Sequence, residues 1–138
     1  MASDNVRTLQ RLYEDVWNGA DPSTAAELVH GTYRIHDREL AERLRGPELY
    51  RALAAGTREA FPDATFTIED TVAAGDRVAL RWTMTGTHEG ELFGAEPTGS
   101  EVEMAGIEID RFESGLLAES WVRSDQLGLM EQVGALGD

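Results

Sequence analysis

Cysteine and lysine are both absent from this 138-residue sequence, in which all 12 basic residues are arginine. Without cysteine the chain has no thiolate nucleophile, no disulfide and no cysteine-ligated metal. Without lysine it can neither form an imine with a carbonyl substrate nor hold pyridoxal phosphate covalently. Its chemistry must therefore use carboxylates, histidine, tyrosine, hydroxyl groups, arginine or a borrowed cofactor.

Long apolar stretches and an excess of positive charge are also missing. The longest apolar run is far too short to span a membrane, and the N-terminal residues lack the features of a signal peptide, so we expect a cytoplasmic protein. The 26 acidic residues give the chain a formal charge of −14. This charge disfavours nucleic acids and anionic membranes as partners. The length fits a single domain over residues 1–138.

Helical patterns occupy the first half of the chain. Asn18-Gly19 is typical of a helix end, whereas Asp21-Pro22 and Gly46-Pro47 are typical of helix starts. Pro62 closes the last of these helices. The charged segment 38–45 is predicted to form a helical turn or a mobile flap. Together with apolar spacing, these signals predict three helices and one short strand, at about residues 4–17, 21–29, 46–61 and 33–37.

After Pro62 the apolar period changes from helical to two, which indicates strands. We predict four strands and a closing helical piece, at about residues 65–72, 78–88, 101–112, 116–123 and 125–133. Helices followed by an antiparallel meander are the pattern of an α+β fold. We expect a cone-shaped, curved antiparallel sheet whose N-terminal helices enclose a pocket.

Glu108 is the most informative position of the third long strand. It lies between Ile107 and Ile109 in a segment expected to be buried sheet. Burial without a partner raises the pKa of a carboxyl group, which suits Glu108 as a proton donor or a general base. The alternatives are an ion pair with Arg81 or an outward position. Glu108 shares its strand face with Val102, Met104, Gly106 and Asp110.

His36 and His88 are the other candidates for proton transfer. Either imidazole can serve as a general acid, a base or an orienting donor, although a hydrogen bond that fixes a loop is the simpler explanation for His88. Two histidines with Glu108 would resemble a two-histidine, one-carboxylate metal site. No short ligand spacing supports such a site, and we predict no metal.

Aromatic residues are numerous for so small a core. Some of them can provide the flat apolar walls on which a polycyclic ligand stacks, and the alternative is ordinary core filling. Trp17, in the last turn of its helix, is the clearest candidate for the pocket. The residues predicted to line the pocket are Trp17, Leu53, Trp82, Met84, Met104, Trp121 and Val122.

Seven short motifs follow one another along nearly the whole chain. They are LYEDVWN (12–18), IHD (35–37), AFPD (60–63), GTHEG (86–90), PTG (97–99), GIEI (106–109) and LGL (127–129). Their order resembles that of the SnoaL-like polyketide cyclases, a group of the nuclear transport factor 2-like superfamily, in which ketosteroid isomerase is a more distant relative. The resemblance implies a pocket-forming fold, cofactor-free proton transfer on a hydrophobic carbonyl compound, and a homodimer formed through the sheet.

The resemblance also bears on individual residues. It implies that the catalytic aspartate of the cyclases falls at Val122 and a family histidine at Ser120, neither of which is kept here. Glu108 falls where the cyclases have a pocket histidine and where the isomerase has an oxyanion-hole aspartate. Trp17 falls at an aromatic position near the cyclase pocket.

Three functions remain open from the sequence. The first is a cofactor-independent cyclase or isomerase of secondary metabolism that uses Glu108, with His36 and His88 orienting the substrate. The second is a non-catalytic module that binds a small hydrophobic molecule or dimerises. The third is water addition to an epoxide, with Arg81 placed between Glu108 and Asp110.

Overall fold

The computed structural model describes residues 2–36, 44–92 and 94–134. Most of the predicted turn or flap at 38–45 lies outside these residues. Within the described ranges, none of the helices combines the length and the apolar character needed to cross a membrane.

The N-terminal helix changes its winding near its end. It runs as an α-helix over Ala2–Leu12 (α1) and continues as a π-helical turn over Tyr13–Trp17. The Asn18 amide donates to the Tyr13 carbonyl at 2.8 Å, which closes the wider turn. Single π-helical turns often occur at functional sites. The turn carries two aromatic side chains, Tyr13 and Trp17, towards the interior.

The second helix is shorter than the sequence predicts. Asp21 accepts a hydrogen bond from the Ser23 amide at 3.2 Å, as expected of an N-cap, and a 3₁₀ turn over Pro22–Thr24 leads into α2, Ala25–Leu28. The predicted helical end at Val29 is wrong because this residue is already extended and begins strand β1, Val29–His36. Its β-branched side chain suits a strand better than a helix.

The remaining elements follow the predicted order. They are α3 Gly46–Ala60, β2 Thr65–Ala74, β3 Arg77–Thr87, β4 Glu101–Glu113, β5 Leu116–Ser124 and α4 Gln126–Gln132. The strands form one curved, unclosed sheet in the order β1-β5-β4-β3-β2, which confirms the α+β fold. One pair departs from the expected antiparallel arrangement, since β1 runs parallel to β5. Parallel neighbours need a long connection, and α3 with the β2–β4 meander provides it.

The two faces of the sheet differ sharply. Along β4, Val102, Met104 and Gly106 are buried, whereas Ile107 and Ile109 are 59% and 44% exposed. The helices contact the face that carries the buried residues, called here the inner face. Glu108 therefore points inward because its two isoleucine neighbours point outward.

Candidate functional site

A cavity of about 530 Å³ lies between the helices and the inner face of the sheet. This volume is within the range of small-molecule sites, which are mainly apolar with a few polar groups. Seven of the residues predicted for the pocket line it: Trp17, Leu53, Trp82, Met84, Met104, Glu108 and Val122.

Two predicted pocket residues, His36 and Trp121, lie instead on the outer face of the sheet. Their rings stack with centroids 5.2 Å apart, and His36 Nε2 lies 2.6 Å from Glu119 Oε2. Because side chains alternate along a strand, the neighbours Ile35 and Val122 point into the cavity and these two rings point away from it. The prediction that they line the pocket is corrected accordingly.

His88 is also separate from the cavity wall. It is 0% exposed, and its Nδ1 accepts a hydrogen bond from the Thr98 amide at 3.3 Å and lies 2.9 Å from Thr98 Oγ1. These contacts tie the end of β3 to the loop before β4. The simpler explanation for His88 therefore fits the geometry, and His88 is not placed to contact a ligand.

The polar end of the cavity is built around two carboxyl groups on β4. The Tyr13 hydroxyl donates to Glu108 Oε1 at 2.6 Å. A second chain runs from the Tyr33 hydroxyl to Ser120 Oγ at 3.0 Å and from Ser120 Oγ to Asp110 Oδ1 at 2.5 Å. Asp110 is 0% exposed and lies behind the wall, so that Glu108 is the carboxyl that faces the cavity.

Burial controls the protonation of this cluster. The pKa of Asp110 is raised well above its usual range, first by burial and then by the negative charge of Glu108. The pKa of the Tyr13 hydroxyl is raised by the same two causes in the same order. Two adjacent carboxyl groups in a buried site do not both ionise readily. Burial therefore favours the protonated form of Asp110 beside Glu108.

Aromatic rings form much of the remaining lining of the cavity. Trp17 Nε1 donates to the Tyr50 hydroxyl at 2.7 Å, and the Trp17 ring packs against Phe66 with centroids 5.1 Å apart. Phe66 in turn contacts Trp82 at 5.5 Å. The cavity thus has flat aromatic sides and one acidic end.

Comparison with known proteins fits this geometry. Residues 7–133 match the family model described as SnoaL-like polyketide cyclase. The chain belongs to this family. No curated protein sequence matches it.

Several solved structures resemble nearly the whole chain. TsrD from Streptomyces laurentii is 30% identical, with 95% of this chain and 96% of that one covered and a TM-score of 0.83. IdmH from Streptomyces antibioticus, a candidate polyketide cyclase, is 34% identical over 94% and 98% of the two chains, with a TM-score of 0.79. AclR from Streptomyces galilaeus, a candidate hydroxylase, is 28% identical over 100% and 85%, with a TM-score of 0.83.

Both positions at which the family resemblance implies other residues belong to the cavity of this SnoaL-like chain. Ser120 and Val122 lie on the inner face of β5 and line the site beside Glu108. Val122 cannot transfer a proton, and Ser120 already donates to Asp110. In this chain the carboxyl groups are therefore found on β4 rather than at position 122.

Several members of the site were missed at the level of sequence. From the sequence, Tyr13, Tyr33 and Tyr50 are candidates only for aromatic walls or core filling, with no role for their hydroxyl groups, and Ser120 is only a departure from the family pattern. Asp110 gave a usable signal, since it lies two residues after Glu108 on the same strand face. The tyrosines gave none, because their hydroxyl partners are distant in sequence.

Two further arrangements considered from the sequence are not formed. Arg81 is exposed on the outer face, opposite Ile107, and so does not lie between the inward-pointing Glu108 and Asp110. In the part of the chain that the structure describes, no three His, Cys, Asp or Glu side chains are grouped to hold a metal ion.

The raised pKa of Asp110 predicts a pH-dependent stability. The folded protein holds the Asp110 proton more tightly than the unfolded chain does. Its free energy of unfolding therefore falls as the pH rises from the unfolded pKa of this carboxyl, near 3.8, to its folded pKa. The slope is at most about 1.4 kcal/mol per pH unit. Because asparagine does not titrate, Asp110→Asn is expected to remove this contribution.

Urea unfolding of both proteins from pH 4 to pH 8 measures the effect as a difference. We expect the free energy of unfolding of the wild type to fall relative to that of Asp110→Asn as the pH rises. Glu119, whose pKa is lowered, interacts with His36 and Arg111 rather than with Asp110 and so contributes equally to both proteins. A difference that stays constant with pH would mean that Asp110 is ionised in the folded state.

Proposed function

We propose that this protein is a cofactor-independent acid–base enzyme, a cyclase or isomerase that acts on a polyketide-like or other hydrophobic carbonyl compound. The observation that carries the proposal is the Glu108 carboxyl, which faces a largely apolar cavity and accepts a hydrogen bond from Tyr13. Family membership supports the same reaction class. It does not by itself identify the reaction, since one fold hosts several chemistries.

The proposed chemistry begins at Glu108. Its carboxylate removes a proton from the carbon next to a substrate carbonyl, and the electron pair of the broken C–H bond moves to the carbonyl oxygen to give an enolate. In an isomerase Glu108 returns the proton to another carbon. In a cyclase the enolate carbon attacks a second carbonyl of the same molecule, and the new alkoxide takes the proton.

Neighbouring groups support this step. Burial raises the pKa of Asp110 well above its usual range, which favours its neutral form and disfavours a second negative charge beside Glu108. Tyr13 holds Glu108 in one orientation through a bond of 2.6 Å. The aromatic rings make the lining largely apolar, and charges in such surroundings interact more strongly than in water.

Hydrogen exchange tests the proposal without the natural substrate. β-Tetralone is a flat, uncharged ketone whose CH₂ groups beside the carbonyl exchange with solvent through the enol. In deuterium oxide at neutral pH, we expect the protein to accelerate deuterium uptake, measured by mass spectrometry. Exchange at the rate of a protein-free control at every pH would contradict the proposal.

A second candidate is a binding module without catalysis. The observation that favours it is Val122, which stands in the cavity where the family resemblance implies a catalytic aspartate. Such a module would bind the ligand tightly and leave it chemically unchanged. It also predicts no acceleration of exchange, and mass spectrometry of a bound ligand after long incubation decides between the two.

We also propose that two copies associate through the outer face of the sheet. This face exposes a group of large apolar side chains that is unusual for a free surface: Val72, Ile107 and Ile109, next to Trp121. Arg77 lies over Trp121 at 5.2 Å, and Arg81 and Arg123 border the same surface. Family resemblance implies the same face.

A single charge introduced at the centre of the proposed contact surface tests the dimer prediction. Ile107→Glu places a carboxylate in the proposed contact, and we expect it to convert a dimer into a monomer in sedimentation velocity experiments. Ala55→Glu is the control, because Ala55 is exposed on α3, away from the outer face of the sheet, and this variant should remain a dimer. A wild type that sediments as a monomer would contradict the proposal.

A further inference from the structure

Four buried hydroxyl groups line the described part of the cavity, and three of them already use their protons. Tyr13 donates to Glu108, Tyr33 donates to Ser120, and Ser120 donates to Asp110. The fourth belongs to Tyr50, a residue of α3 that is 3% exposed. Its hydroxyl differs from the others in the direction of its hydrogen bond.

The Tyr50 oxygen acts as an acceptor. An indole N–H can only donate, so the contact of 2.7 Å with Trp17 Nε1 occupies a lone pair of this oxygen. The hydroxyl proton remains, and no acceptor for it is found among the described residues. A buried donor without a partner is unfavourable, and a ligand oxygen that accepts its hydrogen bond would relieve this cost.

The surroundings hold this hydroxyl in place. The Tyr50 ring packs edge-on against Trp17 at 5.6 Å and against Tyr33 at 5.5 Å. One turn earlier, α3 begins at Gly46, which has a φ of +71°. A Cβ built on Gly46 would lie only 2.7 Å from the carbonyl oxygen of Gly31, so the two backbones approach closely. The helix is thereby anchored to β1, and Tyr50 is a preorganised donor rather than a mobile side chain.

The charge of the lining defines what this donor can bind. Of the described residues that line the cavity, none has a cationic side chain, and Glu108 contributes a carboxyl group. A carboxylate or phosphate at Tyr50 would therefore have no counter-ion. An uncharged oxygen, such as that of a ketone, an ester or an amide, meets no such penalty.

We propose that Tyr50 is a substrate-binding residue, whose hydroxyl donates its proton to an uncharged carbonyl oxygen of the ligand in the cavity that also holds Glu108. This inference rests on the proposed function for the nature of the ligand, and adds the residue that recognises it. Trp17 is the positioning residue, because its indole N–H fixes the Tyr50 oxygen as an acceptor and directs the proton elsewhere.

Among the fully buried groups of the described residues, Trp82 is the competing donor. Its Nε1 is buried and has no partner among the described residues, and the ring lines the same cavity. The ring edge that includes the carbon bonded to this nitrogen packs on Gly106 of β4. The Trp82 N–H is thus held near the sheet, and Tyr50 is the donor better placed for a ligand.

Fluorenone and fluorene provide a matched pair of probes. Both are flat, uncharged tricyclic molecules that differ by a carbonyl oxygen, and fluorenone has no exchangeable hydrogen beside its carbonyl. In the wild type, we expect fluorenone to bind about three- to tenfold more tightly than fluorene, the increment of one neutral hydrogen bond. Its carbonyl stretch in the infrared should move to lower wavenumber on binding.

Tyr50→Phe removes the hydroxyl and keeps the ring. We expect it to abolish both the preference for fluorenone and the infrared shift, while the affinity for fluorene stays unchanged. Tyr33→Phe is the matched control, since the Tyr33 proton is already donated to Ser120 and the shift should persist. Trp82→Phe examines the competing donor and should also keep the shift.

Each other outcome overturns the inference. A shift that survives in Tyr50→Phe and disappears in Trp82→Phe would assign the bond to Trp82. A wild type that binds neither probe, or binds both equally, would show that Tyr50 donates to no carbonyl in this cavity. Failure of the proposed function looks different: fluorenone would bind through Tyr50 while β-tetralone exchange stayed at the protein-free rate.

Discussion

Glu108→Gln is expected to slow the exchange of β-tetralone by about 10²–10⁴-fold, the usual contribution of a positioned general base. The glutamine side chain has almost the same shape, and its carbonyl oxygen can still accept the bond that Tyr13 donates to Glu108 Oε1. The change therefore removes the basic group without opening a cavity. We expect thermal stability and fluorenone affinity to remain close to those of the wild type.

The control is the same substitution on the other face of the same strand. Glu103 is exposed on β4, and Glu103→Gln should leave the exchange rate unchanged. If Glu108→Gln exchanges β-tetralone at the wild-type rate, Glu108 is not the base.

The fold was largely predictable because its signals are local. A change in apolar spacing from helical to alternating marks the boundary after Pro62. Asp21 and Gly46 indicate helix starts, the first as an N-cap and the second through its backbone preference. The parallel pairing of β1 with β5 is not a local property. β1 pairs with the strand that forms the free edge of the sheet once β2 to β5 are in place, and that strand is β5. No residue in β1 indicates which strand this will be.

The site was predictable only in part, for a related reason. Alternation placed Glu108 and Asp110 on one face correctly, because the period of a strand is fixed by its geometry. The same rule applied to β5 separates Val122 from Trp121, yet the sequence prediction put both into the pocket. One of the two must point outward, and alternation alone does not say which.

Aromatic residues on the two faces show why composition was a poor guide. Trp17 and Trp82 form cavity walls, whereas Trp121 stacks on His36 beside an arginine on the outer face. A tryptophan is large and apolar in each case. Its role follows from the face of the sheet it occupies and from what covers that face.

Gly106 is expected to be among the least replaceable residues of the fold. It faces Trp82 across the β3–β4 pair, and the indole ring lies directly over its Cα. A Cβ at this position would overlap the ring at Cζ2 and Cε2. The Trp82 ring can make space for this Cβ only by moving away from the sheet. Gly106→Ala should therefore reduce the free energy of unfolding by about 3 kcal/mol, the upper end of the usual cost of overpacking.

Thermal unfolding measures this effect, with an expected decrease in Tm of roughly 10 °C for a chain of this size. Gly31→Ala is the matched control, because a Cβ at Gly31 meets no atom within 4 Å. Adding Trp82→Phe to Gly106→Ala replaces the indole with a smaller ring, so the combined loss should be less than the sum of the two single losses. Additive losses would mean that the overlap with Trp82 is not the cause.

The same substitution connects stability to the site. Displacing the Trp82 ring moves an aromatic wall that also contacts Phe66, at a ring distance of 5.5 Å. Gly106→Ala should therefore weaken the binding of fluorene and fluorenone equally, because shape is lost and no hydrogen bond is. Tyr50→Phe should affect fluorenone alone. Fluorene and fluorenone together therefore distinguish the role of Gly106, which leaves space for the Trp82 ring, from that of Tyr50, which binds the carbonyl oxygen.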